Sequence, residues 1–81
     1  MPDAFVLINT AMGKEKEVLD DLRNIEGISM VHGTFGAYDI ITKVSADETM
    51  DMRQIITEKI RKIVHVRSTL ALIIIDEQEL E

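Results

Sequence analysis

The 81-residue sequence has no cysteine, no tryptophan, a single proline and only three aromatic residues, Phe5, Phe35 and Tyr38. Without thiols there is neither a disulfide framework nor a thiolate metal site, a composition compatible with a reducing, cytoplasmic setting. Positive charge is also scarce: Lys+Arg number 9 against 15 Asp+Glu, for a formal net charge of −6. Nucleic-acid surfaces concentrate Lys and Arg, so direct DNA or RNA binding is not expected. Long apolar runs are missing too. The longest, Leu70 to Ile75, falls far short of the roughly 20 residues a membrane-spanning helix needs. Met1-Pro2-Asp3 begins no signal peptide, and no membrane role is expected.

The remainder describes one small acidic domain, 46% hydrophobic and 30% charged. A chain of this size hides about 60% of the surface that its unfolded form exposes, so self-association is a natural source of extra burial. Ala4 to Thr10 is short and nearly continuously apolar, which reads as a strand buried on both faces. Val18, Leu19, Leu22 and Ile25 then recur at helical spacing, with Lys14, Glu15, Lys16, Asp20, Asp21 and Arg23 opposite, as an amphipathic helix requires; Gly27 ends it. Ile28 to Phe35 and Tyr38 to Val44 are β-rich and flank Gly36-Ala37, the pattern of a two-residue II′ hairpin.

Ser45-Ala46-Asp47-Glu48 has capping-box spacing, with Asp47 as an equal candidate for the cap, and Met52, Ile55, Ile56, Ile60 and Ile63 follow at helical spacing. Glu58 and Lys62 form an i, i+4 pair worth about 0.3 kcal/mol to that helix. Met12, Met30, Met50 and Met52 read as core or interface fillers. Val66 to Ile75 is again extended and β-branched, before an acidic tail, 76–81, that reads as solvated.

The order β-α-β-β-α-β with short connections predicts an α+β, ferredoxin-like fold. Right-handed crossovers place both helices on one face of a four-stranded antiparallel sheet, in spatial order 4-1-3-2. The other face is left bare, yet from Leu70 onward neither alternating set of the last strand is polar. A sheet facing water alternates, and an exposed apolar patch invites association. Sheet-to-sheet dimerisation through Phe5, Leu7, Leu70, Leu72, Ile73 and Ile74 is therefore expected.

The same topology gathers chemistry at one rim: Asn9-Thr10, Gly36-Ala37 with Tyr38-Asp39, Val66 to Thr69 at the start of the last strand with the hydroxyls of Ser68 and Thr69, and a helix N-terminus near Lys14. Asp39 offers an acceptor for an ammonium; turn N–H groups and the helix end offer donors for a carboxylate. That combination suits an amino-acid zwitterion, although Asp beside a turn and Ser or Thr in a strand equally serve purely structural ends.

AFVLINT followed by Gly13-Lys14-Glu15, then His32-Gly33, Gly36-Ala37-Tyr38-Asp39-Ile40-Ile41, Ile55 to Lys62 and Arg67-Ser68-Thr69 closely resemble the RAM domain of the Lrp/AsnC family, over essentially Ala4 to Ile75. The resemblance implies a dimeric α+β barrel, cytoplasmic, that joins into higher oligomers and binds a free amino acid between dimers. Carried over by match, it implicates Gly36, Ala37, Tyr38 and Asp39, with Ser68 and Thr69 from a neighbouring strand. Full-length members place a helix-turn-helix domain before this unit, whereas here the first strand begins at Ala4. The expectation is a single stand-alone domain over 1–81, acting on transcription indirectly through a full-length Lrp-like regulator. No enzyme activity, cofactor or metal is expected.

Rival readings start from His32, His65, Tyr38 and Asp39, whose spacing matches no catalytic pattern or metal-ligand set. ACT-type amino-acid sensors compete in fold; a ferredoxin-like dimeric enzyme of the small monooxygenase type would need a His or an Asn-Trp-Phe set placed for heme or a polycyclic substrate, which this Trp-free sequence does not offer, and an RNA-recognition module would need sheet aromatics and a basic surface. A purely structural oligomerisation module is the other alternative.

Overall fold

Strict alternation governs the first strand, β1 (Asp3–Thr10): Ala4, Val6, Ile8 and Thr10 are buried, while Phe5, Leu7 and Asn9 are half-covered. This corrects the expectation of burial on both faces. The computed structural model describes residues 3–74, so Ile75 and the acidic tail 76–81 lie outside the described residues. Within it follow α1 (Glu15–Arg23), β2 (Ile28–Gly33), β3 (Ile40–Ser45), α2 (Thr49–Gln54), which continues as a π-helix over Ile55–Ile60, and β4 (Val66–Ile73). The strands form one antiparallel sheet in the order β2-β3-β1-β4, the predicted arrangement.

Ala4, Val6 and Ile8 of β1 pack with Ile40 and Val44 of β3 and with Val18, Leu22, Met52, Ile56 and Ile60 from the helices. Met52, Ile56 and Ile60 are spaced by four, and such steps drift by roughly 40° each around an α-helix of 3.6 residues per turn. The wider π turn, closed by the Arg61 N–H donating to the Ile56 carbonyl at 3.2 Å, counters the drift and keeps all three inward. The Thr57 hydroxyl donates to the Arg53 carbonyl at 2.8 Å, the side-chain back-bond that bends helices. Among the described residues Glu58 and Lys62 form no ion pair, as expected where the turn no longer stacks i over i+4.

The predicted capping box does not form. β3 runs through Ser45, whose hydroxyl donates to Asp3 Oδ1 at 2.7 Å, so it is committed across the sheet; α2 starts after Glu48, without a side-chain cap. α1 ends at Arg23 with Asn24 as its cap, ahead of Gly27, which takes φ +96 in the turn into β2. The β2–β3 connection is also wider than two residues. Thr34 closes a loop over 34–39, its N–H donating to the Asp39 carbonyl at 2.8 Å and its hydroxyl to the Tyr38 carbonyl at 2.5 Å. β2 consequently stops at Gly33 rather than Phe35, and β3 starts at Ile40.

The helix-free face carries Phe5 opposite Leu72 and Leu7 opposite both Leu70 and Ile41. Leu70, Leu72 and Ile74 are 44%, 52% and 46% exposed, an apolar stripe along the sheet edge. Ile73 does not share that face: it stands opposite buried Ala4, on the helix side.

Candidate functional site

Three chain ends build the rim at the far end of β1. The Asp39 N–H donates to the Ile8 carbonyl at 3.0 Å, extending the β1–β3 ladder by one residue. Its carboxylate turns back onto β1, where Oδ2 accepts the Thr10 N–H at 2.9 Å and lies 3.5 Å from the Thr10 hydroxyl. Asp39 thus ties the start of β3 to the end of β1. On the other flank, the Ala11 N–H donates to the His65 carbonyl at 2.8 Å, and Asn9 Nδ2 donates to Ser68 Oγ at 3.3 Å. His65 reaches this position with φ +76, and its Nε2 lies 3.5 Å from Glu17 of α1.

A β-bulge decides what the rim presents. Asn9 pairs with Ser68 but Thr10 pairs with Val66, so Arg67 is the surplus residue of β4. A bulge of this kind re-aims the side chain of its extra residue. Arg67 lines a cleft of about 360 Å³ with Thr10, Met12, Glu15 and Asp39. That is the lower end of the roughly 300–1,000 Å³ typical of small-molecule sites. A second cleft of similar size, about 360 Å³, lies beyond it, lined by Arg61, Val66, Arg67, Ser68 and Thr69, with Arg61 Nε donating to Thr69 Oγ1 at 3.2 Å. Arg67 borders both.

The structure therefore brings Asp39 to one cleft and Ser68 and Thr69 to the adjoining one, with Arg67 between them. Gly36 and Ala37 stand exposed at the loop tip beside fully exposed Phe35, Tyr38 is half-buried, and none of the three candidates lines either cleft. A Cβ at Gly36 would meet nothing within 4 Å, so the protomer itself does not need a glycine there for space. From sequence alone Arg67 and Glu15 carry no ligand-binding role and Met12 reads only as a core or interface filler, since only the bulge and the α1 start make them neighbours of Asp39. A larger cleft, about 430 Å³, opens at the opposite end of the sheet between Gly27, Ser45, Asp47, Asp51 and Lys59, and borders none of the candidate residues. Charges of both signs line that cleft too, and the rim is the better candidate because it alone combines them with the β4 bulge and with the sequence-predicted residues Asp39, Ser68 and Thr69. His32 lies on β2 opposite Ile41, on the helix-free face, and His65 lies in the turn before β4. Among the described residues no helix is long and apolar enough to cross a membrane.

The profile of the Lrp/AsnC ligand binding domain matches residues 3–79. An uncharacterized HTH-type transcriptional regulator of Pyrococcus furiosus is 34% identical over 73 residues, covering 86% of this chain and 49% of the regulator. The chain thus spans about half the length of the curated relatives it matches. The crystal structure of FFRP-DM1 superposes with a TM-score of 0.89 at 41% identity, covering 93% of this chain and all of that one. A Neisseria meningitidis transcriptional regulator, solved as its L-Met complex, shares the fold with a TM-score of 0.81 at 10% identity, over 94% of this chain and 51% of that one.

Proposed function

Since the chain belongs to the Lrp/AsnC ligand-binding-domain family, we propose that it is a regulatory effector domain whose effector is a free α-amino acid held at the β1–β3–β4 rim. The observation that carries this reading is that one cleft is lined by residues of opposite charge, Arg67 and Asp39. A guanidinium fork receives a carboxylate in two parallel hydrogen bonds, and a carboxylate receives an ammonium, so the cleft complements a zwitterion. Ser68 and Thr69 supply hydroxyls from the adjoining cleft. The loop of Gly36, Ala37 and Tyr38 projects beyond the rim, where it would meet a neighbouring dimer and close the site.

Dimerisation is proposed through the helix-free face, burying Phe5, Leu7, Leu70, Leu72 and Ile74. Ile73 is reassigned to the helix side of that edge. The effector would change how dimers join, and so the assembly of a full-length regulator associated with this domain. The named curated relatives are regulators, which favours a non-enzymatic role.

Titration calorimetry against the twenty amino acids tests the reading, on the wild type and on Arg67→Ala. At least one amino acid should bind with a dissociation constant in or below the millimolar range, and Arg67→Ala should weaken it at least tenfold, the effect of roughly 1.4 kcal/mol. Binding that is indifferent to Arg67 would move the site elsewhere. No binding at all would leave an oligomerisation module.

A further inference from the structure

Resting on the rim cleft as the effector site, we infer that it selects an amino acid with a cationic side chain. Its lining carries three charges, Glu15, Asp39 and Arg67. A zwitterion uses two of them: its carboxylate on Arg67 and its ammonium on Asp39, whose Oδ2 is occupied by the Thr10 N–H but whose Oδ1 accepts no hydrogen bond among the described residues. Glu15 is then left over. Neither Glu15 nor Arg67 makes an ion pair among the described residues, while the nearby Lys14 and His65 side chains both turn to Glu17, at 3.5 Å each.

The position of Glu15 in the first turn of α1 gives it a favourable interaction with the helix dipole. That explains a carboxylate at the position, but not its opening onto the same cleft as Asp39. With an aliphatic ligand bound, Glu15 would lose water without gaining a partner, and an acidic ligand would add repulsion; a second cation on the ligand removes both costs. Met12, almost fully exposed at the mouth, offers an adaptable apolar wall for the methylene stem of such a side chain.

Titration calorimetry of the 81-residue protein with lysine, norleucine, glutamate and cadaverine, on wild type and Glu15→Gln, separates the possibilities. Lysine should bind about fivefold more tightly than its uncharged analogue norleucine, the upper end of what a solvent-accessible ion pair supplies. Glutamate should be weaker than norleucine. Cadaverine, which lacks the carboxylate meant for Arg67, should be weaker than lysine. Glu15→Gln should erase the difference between lysine and norleucine, and continued norleucine binding reports that the variant is folded. If norleucine matches lysine on the wild type, the cationic selectivity is wrong and the effector reading stands; a preference that Glu15→Gln keeps would show that Glu15 does not supply it and would overturn the inference equally. Cadaverine binding as well as lysine would mean a polyamine-type cation site rather than an amino-acid site, overturning both. Absence of any amino-acid binding to the wild type would likewise overturn both.

Discussion

Replacing Asp39 with alanine should destabilise the fold as well as disturb the cleft. The Thr10 N–H that donates to Asp39 Oδ2 at 2.9 Å belongs to a residue only 7% exposed, so it has little access to water as a substitute. Losing a hydrogen bond to a charged group and stranding its buried donor costs about 1.5–3 kcal/mol. Ordinary surface substitutions stay within about 0.5 kcal/mol. At roughly 4–8 °C per kcal/mol for a domain of this size, the midpoint should fall by about 6–24 °C. Asp39→Asn keeps an oxygen acceptor and loses only the charge, so it should cost about half as much. Urea unfolding measures the free-energy loss and a thermal melt the midpoint shift, both at one fixed protein concentration, since a self-associating protein gains stability by mass action. An Asp39→Ala midpoint indistinguishable from the wild type, with an unchanged urea slope, would show that the Thr10–Asp39 contact holds nothing together. Conversely, loss of ligand binding in this variant would be ambiguous, and Arg67 is the cleaner position at which to probe binding.

Leu72→Glu places a charge in the middle of the exposed apolar stripe opposite Phe5 and should shift the protein from dimer to monomer in sedimentation velocity, because an unpaired buried charge costs several kcal/mol; an unchanged dimer would place the interface elsewhere. Gly27→Ala should lower stability by about 1–2 kcal/mol on backbone grounds alone, with a further penalty because its Cβ would come within 2.6 Å of Ile55 Cδ1 and 3.2 Å of the Ser45 carbonyl at φ +96; a thermal melt measures it. His65→Val should cost about 1–2 kcal/mol in urea unfolding, since a β-branched residue is poorly tolerated at the φ +76 of this position, whereas His65→Gly should be neutral or stabilising despite losing the contact with Glu17.

The element order, the strand order and the bare sheet face were legible because they follow from periodicity and from the handedness of crossovers, both properties of the chain itself. Local geometry was legible only where no distant residue competed for the same group. Ser45 spaced three before Glu48 predicts a capping box, but Asp3, 42 positions away in sequence, holds its hydroxyl. Gly36-Ala37 predicts a two-residue turn, but Thr34 closes a wider loop with Tyr38 and Asp39. At the rim, Asp39 was identifiable from its position beside the hairpin. Arg67 fell within the rim stretch Val66 to Thr69, but its place beside Asp39 was not legible, because strict alternation gives no sign that Thr10 skips to Val66 and leaves it surplus. Ile73 shows the same limit from the other side: from Leu70 onward both alternating sets of β4 are apolar, and pattern alone does not reveal which set faces the helices.

The most direct test of the rim as effector site is amide chemical-shift mapping of the isotope-labelled protein during titration with lysine and, in parallel, with leucine and glutamine. At least one of these should move the amides of Thr10, Asp39, Arg67, Ser68 and Thr69 together along one saturable curve, with changes at Gly36 and Ala37 if the loop closes the site. Saturable shifts confined to the opposite cleft at Gly27, Ser45 and Asp51, with the rim amides still, would contradict the account.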